Sequence, residues 1–284
     1  MNTSRTFARA GLAVAALLVS VATSFAKDPD IASYFVGVDG LATIATGAFA
    51  TLANPNHNRL TFLYAHTYTA TPGINHYHSK GIFRYNPTST FANPIVHQNP
   101  NNFLPEGNIA PLTLSLASGG AYDGKLVAGI FPVSDPRHGF SFLTIVDTGK
   151  LTGFGVGEPE TILLNSSSGR WNGSLSGADV HIELVGLSAG LNVGVGLVLN
   201  AFVNPSDDFH LEDSFNFTPT FWTEFNAAPG IYIAQFKLTD EAAIFADYGT
   251  FEFRFEVIPE PSATAALAGL AALGLVASRR RSRA

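Results

Sequence analysis

Three histidines lie close together in a chain that has only eight. They are His66, His76 and His78, in the segment HTYTATPGINHYHSK. Neutral imidazoles are common zinc ligands, and three of them on one ion leave a fourth position for water or another side chain. Five of the eight histidines fall between residues 57 and 97. This clustering predicts a site for Zn²⁺ or a similar ion, and a merely polar loop is the alternative.

Convergence of these side chains depends on how two strands pair. The alternation over residues 60–68 predicts a strand on which His66 ends a row of large side chains. A three-residue hairpin loop at residues 71–73 would set His66 opposite His78, with Cβ atoms about 5 Å apart, and His76 would share that face. A two-residue turn would shift the register by one and turn His78 away. The two registers stay open at this point.

The other candidate ligands are weaker. His97 is the nearest fourth ligand, and Glu106 is a more remote one. His181 lies on the polar face of a predicted strand over residues 178–187, so we interpret it as a solvated side chain. His210 stands among several carboxylates, which we interpret as an acidic solvated loop, with a second cation site as the alternative.

The N-terminal residues have the features of a secretory signal peptide. Two arginines precede an apolar run over residues 10–21, and Ser24 and Ala26 place small side chains at the −3 and −1 positions of a cleavage site. Residues 1–26 are therefore predicted to direct export and to be removed by signal peptidase.

The C-terminal residues combine three features in a fixed order. Pro259, Glu260 and Pro261 precede an apolar stretch over residues 262–277. An arginine cluster follows it, made of Arg279, Arg280, Arg281 and Arg283. The stretch is shorter than the roughly 20 residues that span a bilayer comfortably, and the arginines are expected to stay cytoplasmic. These features predict a weak or temporary membrane anchor.

This order resembles the PEP-CTERM sorting signal, here residues 258–284. The resemblance implies recognition by a membrane exosortase in a Gram-negative bacterium, usually one that makes exopolysaccharide. It also implies export across the inner membrane to the cell envelope, the outer surface or the extracellular matrix.

The exported part, residues 27–257, is predicted to be an all-β domain. In residues 250–257 (TFEFRFEV) phenylalanines alternate with charged side chains, which is typical of a half-buried strand, and residues 231–238 are expected to pair with it antiparallel. Further predicted strands cover residues 60–68, 81–85, 112–116, 125–131, 140–146, 178–187, 195–202 and 214–217. No stretch has convincing helical periodicity. Short strands separated by Gly, Pro, Asn and Asp favour a β-sandwich, with which jelly-roll connectivity is compatible.

Composition and charge exclude several classes of function. Residues 27–260 hold ten basic and 22 acidic residues, a net charge of −12, which disfavours nucleic acid as a partner. The chain has no cysteine, so disulfides, thiolate zinc sites and cysteine nucleophiles are excluded. Any metal must be held by nitrogen and oxygen.

Three segments of the exported part resemble a PEP-CTERM family whose genes are repressed by the zinc-uptake regulator Zur. They are residues 36–66 (VGVDGLATIATGAFATLANPNHNRLTFLYAH), 167–194 (SSGRWNGSLSGADVHIELVGLSAGLNVG) and 215–240 (FNFTPTFWTEFNAAPGIYIAQFKLTD). The resemblance implies a histidine-rich stretch after the LTFLYAH strand, matched here by His66, His76 and His78. It also implies synthesis when zinc is scarce.

The sequence therefore favours an exported metal-binding protein without turnover. A non-catalytic structural or carbohydrate-associated protein of the exopolysaccharide matrix is the alternative, with Trp171 and Trp222 as contacts. Trp171 is more readily interpreted as a packing residue, by the usual burial of tryptophan. Three histidines and a water could support a metallohydrolase, but no HExxH or G-x-S-x-G motif is present, so an enzyme is not expected.

Overall fold

A computed structural model describes residues 27–246 and 249–259. The signal peptide and the sorting signal beyond Pro259 lie outside these residues. Within the described ranges, no helix reaches the length and apolarity needed to cross a membrane.

The protein is an all-β sandwich, as predicted. Its strands in chain order are β1 (Tyr34–Val38), β2 (Leu60–His66), β3 (His76–Lys80), β4 (Phe83–Tyr85), β5 (Val96–Gln98), β6 (Phe103–Leu104), β7 (Leu112–Leu116), β8 (Lys125–Ala128), β9 (Ile145–Asp147), β10 (Val180–Leu187), β11 (Asn192–Val195), β12 (Val198–Phe202), β13 (Asp208–Leu211), β14 (Asn216–Phe217), β15 (Pro219–Glu224), β16 (Gly230–Asp240) and β17 (Phe251–Val257). One short α-helix, α1 (Pro159–Leu164), lies between β9 and β10, and the turn Ser166–Gly169 follows it with positive φ angles at Ser167 and Ser168.

Two large sheets organise the fold. A five-stranded sheet has the order β14-β9-β1-β2-β3, and a ten-stranded sheet has the order β12-β11-β15-β8-β7-β17-β16-β10-β13, with β6 paired to β17. Strands β4 and β5 form a separate pair. Most pairs are antiparallel, but β1 pairs with β9, and β17 with β6 and β7, in parallel. Both large sheets are therefore mixed and not purely antiparallel.

The core lies between the two large sheets and is built from period-two strands. Phe251, Phe253 and Phe255 on β17 are all buried and point to one face, as their alternation predicts. Phe62 on β2 stacks on Phe251 across the sheets, with ring centroids 3.9 Å apart and planes 10° apart. Tyr34 on β1 meets Phe253 edge to face. The aromatic row of β17 therefore joins the sheets.

The five-stranded sheet also has its second face covered. Helix α1 contributes Leu163 to a smaller buried cluster with Leu63, Tyr77 and Trp171. Trp171 is 2% exposed, which confirms its predicted packing role. Strand β2 is consequently buried on both faces up to Ala65, and His66 at its end is the first partly exposed residue.

The predicted strands are largely confirmed, but β1, β5, β6 and β15 were not predicted, and residues 195–202, predicted as one strand, are divided by a turn between β11 and β12. Two other segments also differ from the prediction. Residues 140–146 were predicted as one strand, but His138–Ser141 form a 3₁₀ turn and the strand starts at Ile145. Residues 207–213 were interpreted as a loop, but Asp208–Leu211 form the edge strand β13. Asp208 and the acidic residues on either side of this strand, Asp207, Glu212 and Asp213, are poor strand formers, so the pattern gives little signal. The helix Pro159–Leu164 is only six residues long, too short to show a period.

Strand β17 allows a direct test of the core. We expect Phe253→Ala to lower the free energy of unfolding by about 3–5 kcal/mol, because the ring is buried among aromatic neighbours from both sheets. Phe225→Ala is the control, since that ring is 64% exposed and should change stability by less than about 0.5 kcal/mol. Urea unfolding measures both, and equal midpoints for the two variants would contradict this packing.

Candidate metal centre

His66, His76 and His78 lie on one face of the β2–β3 hairpin. In this pair His66 is opposite His76, and Tyr64 is opposite His78. Tyr64 belongs to the core between the sheets, so the histidines extend the core-facing row beyond the end of that core. One ring nitrogen from each histidine lies within 4.8 Å of the others. The structure thus brings the three predicted side chains together.

The register that places them was not predicted correctly. Opposition of His66 and His78 is wrong, because the connection is longer than either turn considered and contains the 3₁₀ turn Pro72–Ile74. The Asn75 side chain closes this wider loop by accepting a hydrogen bond from Tyr68 N at 2.8 Å. The error amounts to two residues, and an even shift preserves the faces of a strand. The convergence of the histidines therefore survives the change of register.

Glu106 reaches this cluster from the opposite sheet. It follows β6, which pairs with β17 in the ten-stranded sheet, and its carboxylate faces the β2–β3 hairpin. Oε1 lies 2.7 Å from His66 Nε2 and 2.6 Å from His78 Nδ1, and Oε2 lies 2.6 Å from Lys80 Nζ. Lys80 is only 5% exposed. One carboxylate therefore receives three side-chain donors.

The protonation of this group follows from these contacts. Burial alone would raise the pKa of Glu106, but hydrogen bonds from His66, His78 and Lys80, together with the Lys80 charge, hold it well below its usual value. For His66 burial is the largest effect and lowers the pKa, while the hydrogen bond to Glu106 opposes this. An ionised Glu106 can only accept hydrogen bonds, so His66 donates from Nε2 and His78 from Nδ1.

The proton on His76 is fixed by the backbone. Its Nδ1 lies 2.8 Å from the carbonyl oxygen of Ile74, which can only accept, so Nδ1 carries the proton. In the neutral rings of His76 and His78 the remaining lone pairs are then both on Nε2. These two Nε2 atoms lie 3.2 Å apart. Two lone pairs facing each other at this distance repel, and a proton or a metal ion between them removes that repulsion.

The cluster forms part of the wall of a cleft of about 1080 Å³. Side chains from both sheets line the cleft, among them Tyr64 and Phe103, together with a loop that includes His138. His78 keeps 46% of its side chain exposed. An ion from solvent can therefore reach the imidazoles along the cleft.

His97 does not join the cluster. It lies on β5 of the separate two-stranded sheet, opposite Arg84, and its Nε2 accepts a hydrogen bond from Arg84 Nε at 3.3 Å. Closeness in sequence was the reason for proposing it as the fourth ligand, but the chain leaves the hairpin before β4. The structure offers Glu106 in its place.

The sequence analysis named Glu106 only as a remote candidate ligand and did not consider Lys80. Lys80 had a detectable signal, because it follows His78 by two residues and so shares its face in an extended strand. Glu106 had no such signal, since its position depends on the pairing of β6 with β17, about 150 residues further along the chain. No protein-family model, curated protein or solved structure matches the chain.

Glu106 gives a prediction for the metal-free protein. We expect Glu106→Gln to lower the free energy of unfolding by about 3 kcal/mol at pH 7, because the buried Lys80 loses its countercharge. The folded-state pKa of Glu106 lies below the unfolded value of about 4.3, so its contribution is present above that pH and is lost as the pH falls further. The difference between parent and variant should therefore shrink below about pH 4.3.

Urea unfolding in the presence of a chelator, repeated from pH 7 to pH 3, measures this effect. Glu158→Gln is the matched control, because Glu158 is exposed and its side chain makes no capping hydrogen bond. A variant at position 106 that matched the Glu158 control at pH 7 would show that the ion pair with Lys80 adds nothing to stability.

Proposed function

We propose that this is an exported protein that binds Zn²⁺ or a similar divalent ion through His66, His76 and His78, with Glu106 as the neighbouring carboxylate. The observation that carries the proposal is the pair of Nε2 atoms on His76 and His78, which face each other 3.2 Å apart. A metal ion between them would turn a repulsive contact into two coordinate bonds.

The donor set fits such an ion. Tetrahedral zinc with bonds of about 2.0–2.1 Å separates its ligand atoms by roughly 3.3 Å, close to the separation of the two Nε2 atoms. The Ile74 carbonyl behind His76 and the Glu106 carboxylate behind His78 are the outer partners that metal-bound histidines usually have. Imidazole-rich sites suit Zn²⁺, Cu²⁺ and Ni²⁺ better than Mg²⁺ or Ca²⁺.

Metal binding at this site should depend on pH. His66 and His78 each donate a hydrogen bond to Glu106 Oε1 in the metal-free arrangement. If His66 Nε2 becomes the third nitrogen ligand, its proton must move to Nδ1, and Glu106 Oε1 then accepts from His78 alone. Affinity is therefore expected to fall in acid, where the imidazoles hold their protons.

The electrostatics of Glu106 favour binding over catalysis. A metal-assisted hydrolase needs a base whose pKa lies near the working pH. Burial raises the pKa of Glu106, but the hydrogen bonds from His66, His78 and Lys80 outweigh this effect and hold the pKa well below its ordinary value. This carboxylate is therefore a poor proton acceptor. We therefore propose a protein without turnover.

Export and location rest on the sequence signals. We propose that signal peptidase and exosortase process the chain, that residues 262–277 hold it in the membrane before processing, and that it acts at the cell envelope or in the extracellular matrix. Resemblance to the Zur-repressed family supports synthesis under zinc limitation, when an exported acidic protein with an imidazole site could retain zinc near the cell.

The alternative role in the exopolysaccharide matrix has less support from the side chains assigned to it. Trp171 and Trp222 are both buried, and the indole of Trp222 donates to the carbonyl of Leu199 at 2.8 Å. Neither ring therefore presents a face on which a sugar could stack.

Thermal unfolding with added Zn²⁺ tests the proposed site. A ligand that binds only the folded state adds about 2.7 kcal/mol at one hundred times its dissociation constant, so Zn²⁺ should raise the Tm of the parent. We expect the double variant His76→Ala, His78→Ala to lose the larger part of this rise. His57→Ala is the control, since His57 is exposed and lies outside the cluster.

The same comparison is to be made with Cu²⁺ and Ni²⁺. Equal shifts for the parent and the double variant with all three ions would exclude the cluster as the site. The chelator-treated proteins without added metal show whether the substitutions themselves alter folding.

A further inference from the structure

A second group of histidines and carboxylates lies on the other large sheet. It comprises Asp179, His181 and His210, with Asp208 and Glu241 beside them. His181 is on β10 and His210 on the edge strand β13, and the two residues are direct cross-strand partners. The group shares no residue with the His66 cluster and does not depend on it.

The strand geometry places two imidazoles around one carboxylate. The rings of His181 and His210 stack with centroids 5.0 Å apart. Asp179 stands two residues before His181 and so lies on the same face. Its Oδ1 is 3.2 Å from His181 Nε2 and 3.0 Å from His210 Nε2. Three potential ligand atoms from two strands thus meet at the edge of the sheet.

Asp208 fixes the orientation of His181. Its Oδ2 lies 2.6 Å from His181 Nδ1, on the side of the ring opposite Asp179. An ionised Asp208 accepts, so Nδ1 of a neutral His181 carries the proton and Nε2 carries the lone pair. That lone pair then faces Asp179 Oδ1, which is also an acceptor. A carboxylate that holds one nitrogen of a histidine while the other nitrogen faces further ligands is the usual outer arrangement at metal sites.

The negative charge of the surrounding carboxylates also favours the binding of a cation. Glu241 Oε2 lies 3.9 Å from His181 Nε2, so a third carboxylate borders the group. Within the described residues, the ion pairs of Asp179, Asp208 and Glu241 involve histidines and no lysine or arginine. His181 was interpreted from sequence as a solvated side chain, but it is only 12% exposed because these neighbours enclose it.

We propose that Asp179, His181 and His210 form a second divalent-metal site, with Glu241 within reach as a further oxygen ligand and Asp208 as the residue that orients His181. Two imidazoles and one or two carboxylates suit first-row ions such as Zn²⁺, Co²⁺ and Mn²⁺. The donor set is richer in oxygen than the His66 cluster, so the two sites should differ in metal preference. The second site should discriminate less against Mn²⁺.

Counting bound Zn²⁺ separates the two sites. Four proteins are compared after chelation, reloading with Zn²⁺ and removal of free ion: the parent, His76→Ala with His78→Ala, Asp179→Asn with His210→Ala, and the combination of all four substitutions. Elemental analysis should give two ions per chain for the parent, one for each double variant and none for the combined variant. Asp213→Asn is the control, because Asp213 is an acidic neighbour outside the group, and it should keep two ions.

Two results would overturn the second site. One is a variant at positions 179 and 210 that keeps the full content of the parent. The other is a parent with a single ion that is lost when His76 and His78 are replaced. Loss of one ion only in the variant at positions 179 and 210 would support the second site while refuting the first. Asp179→Asn alone should also lose one ion. This single substitution does not alter β13, so it tests the site even if His210→Ala weakens the edge strand.

Discussion

The ionised carboxylate of Glu106 is the constraint on which the arrangement at the cleft depends. It accepts from His66, His78 and Lys80, and these three donors come from the five-stranded sheet whereas Glu106 follows a strand of the ten-stranded sheet. Because both oxygens of the ionised Glu106 carboxylate can only accept hydrogen bonds, His66 and His78 must each carry a proton on the ring nitrogen that faces Glu106. The lone pair of His78 is thereby directed at His76, whose own proton is held by a backbone carbonyl. When both rings are neutral, their Nε2 lone pairs oppose each other across the hairpin.

Both candidate sites orient a histidine ring in the same way. In each site an acceptor fixes the proton on one nitrogen of a histidine ring. This acceptor is the Ile74 carbonyl for His76 and the Asp208 carboxylate for His181. The other ring nitrogen then faces a further acceptor. Each site also uses cross-strand partners in an antiparallel pair, His66 with His76 and His181 with His210. A pleated sheet holds such side chains at a nearly fixed separation, so the potential ligand atoms of each group already lie close together.

The sequence was most informative where one strand carries the pattern by itself. The alternation of Phe251, Phe253 and Phe255 with charged residues predicted both the strand and its buried face. The shared face of the three histidines was also predictable, because a register shift by an even number of residues leaves each side chain on the same face of the strand. The position of Glu106 and the exclusion of His97 were not predictable, because each depends on which distant strands pair. Strand β13 was missed because Asp208 and the acidic residues that flank the strand resemble a loop, although β13 supplies one of the two histidines of the second group.

Nitrogen-detected NMR of the imidazole rings tests most directly the opposed lone pairs of His76 and His78. Metal-free protein labelled with ¹⁵N should be measured at a pH where the rings are neutral, before and after addition of Zn²⁺. Both His76 and His78 should carry their proton on Nδ1, and Zn²⁺ should shift their Nε2 signals. A proton on Nε2 of either ring, together with signals that Zn²⁺ leaves unchanged, would contradict the metal centre described above.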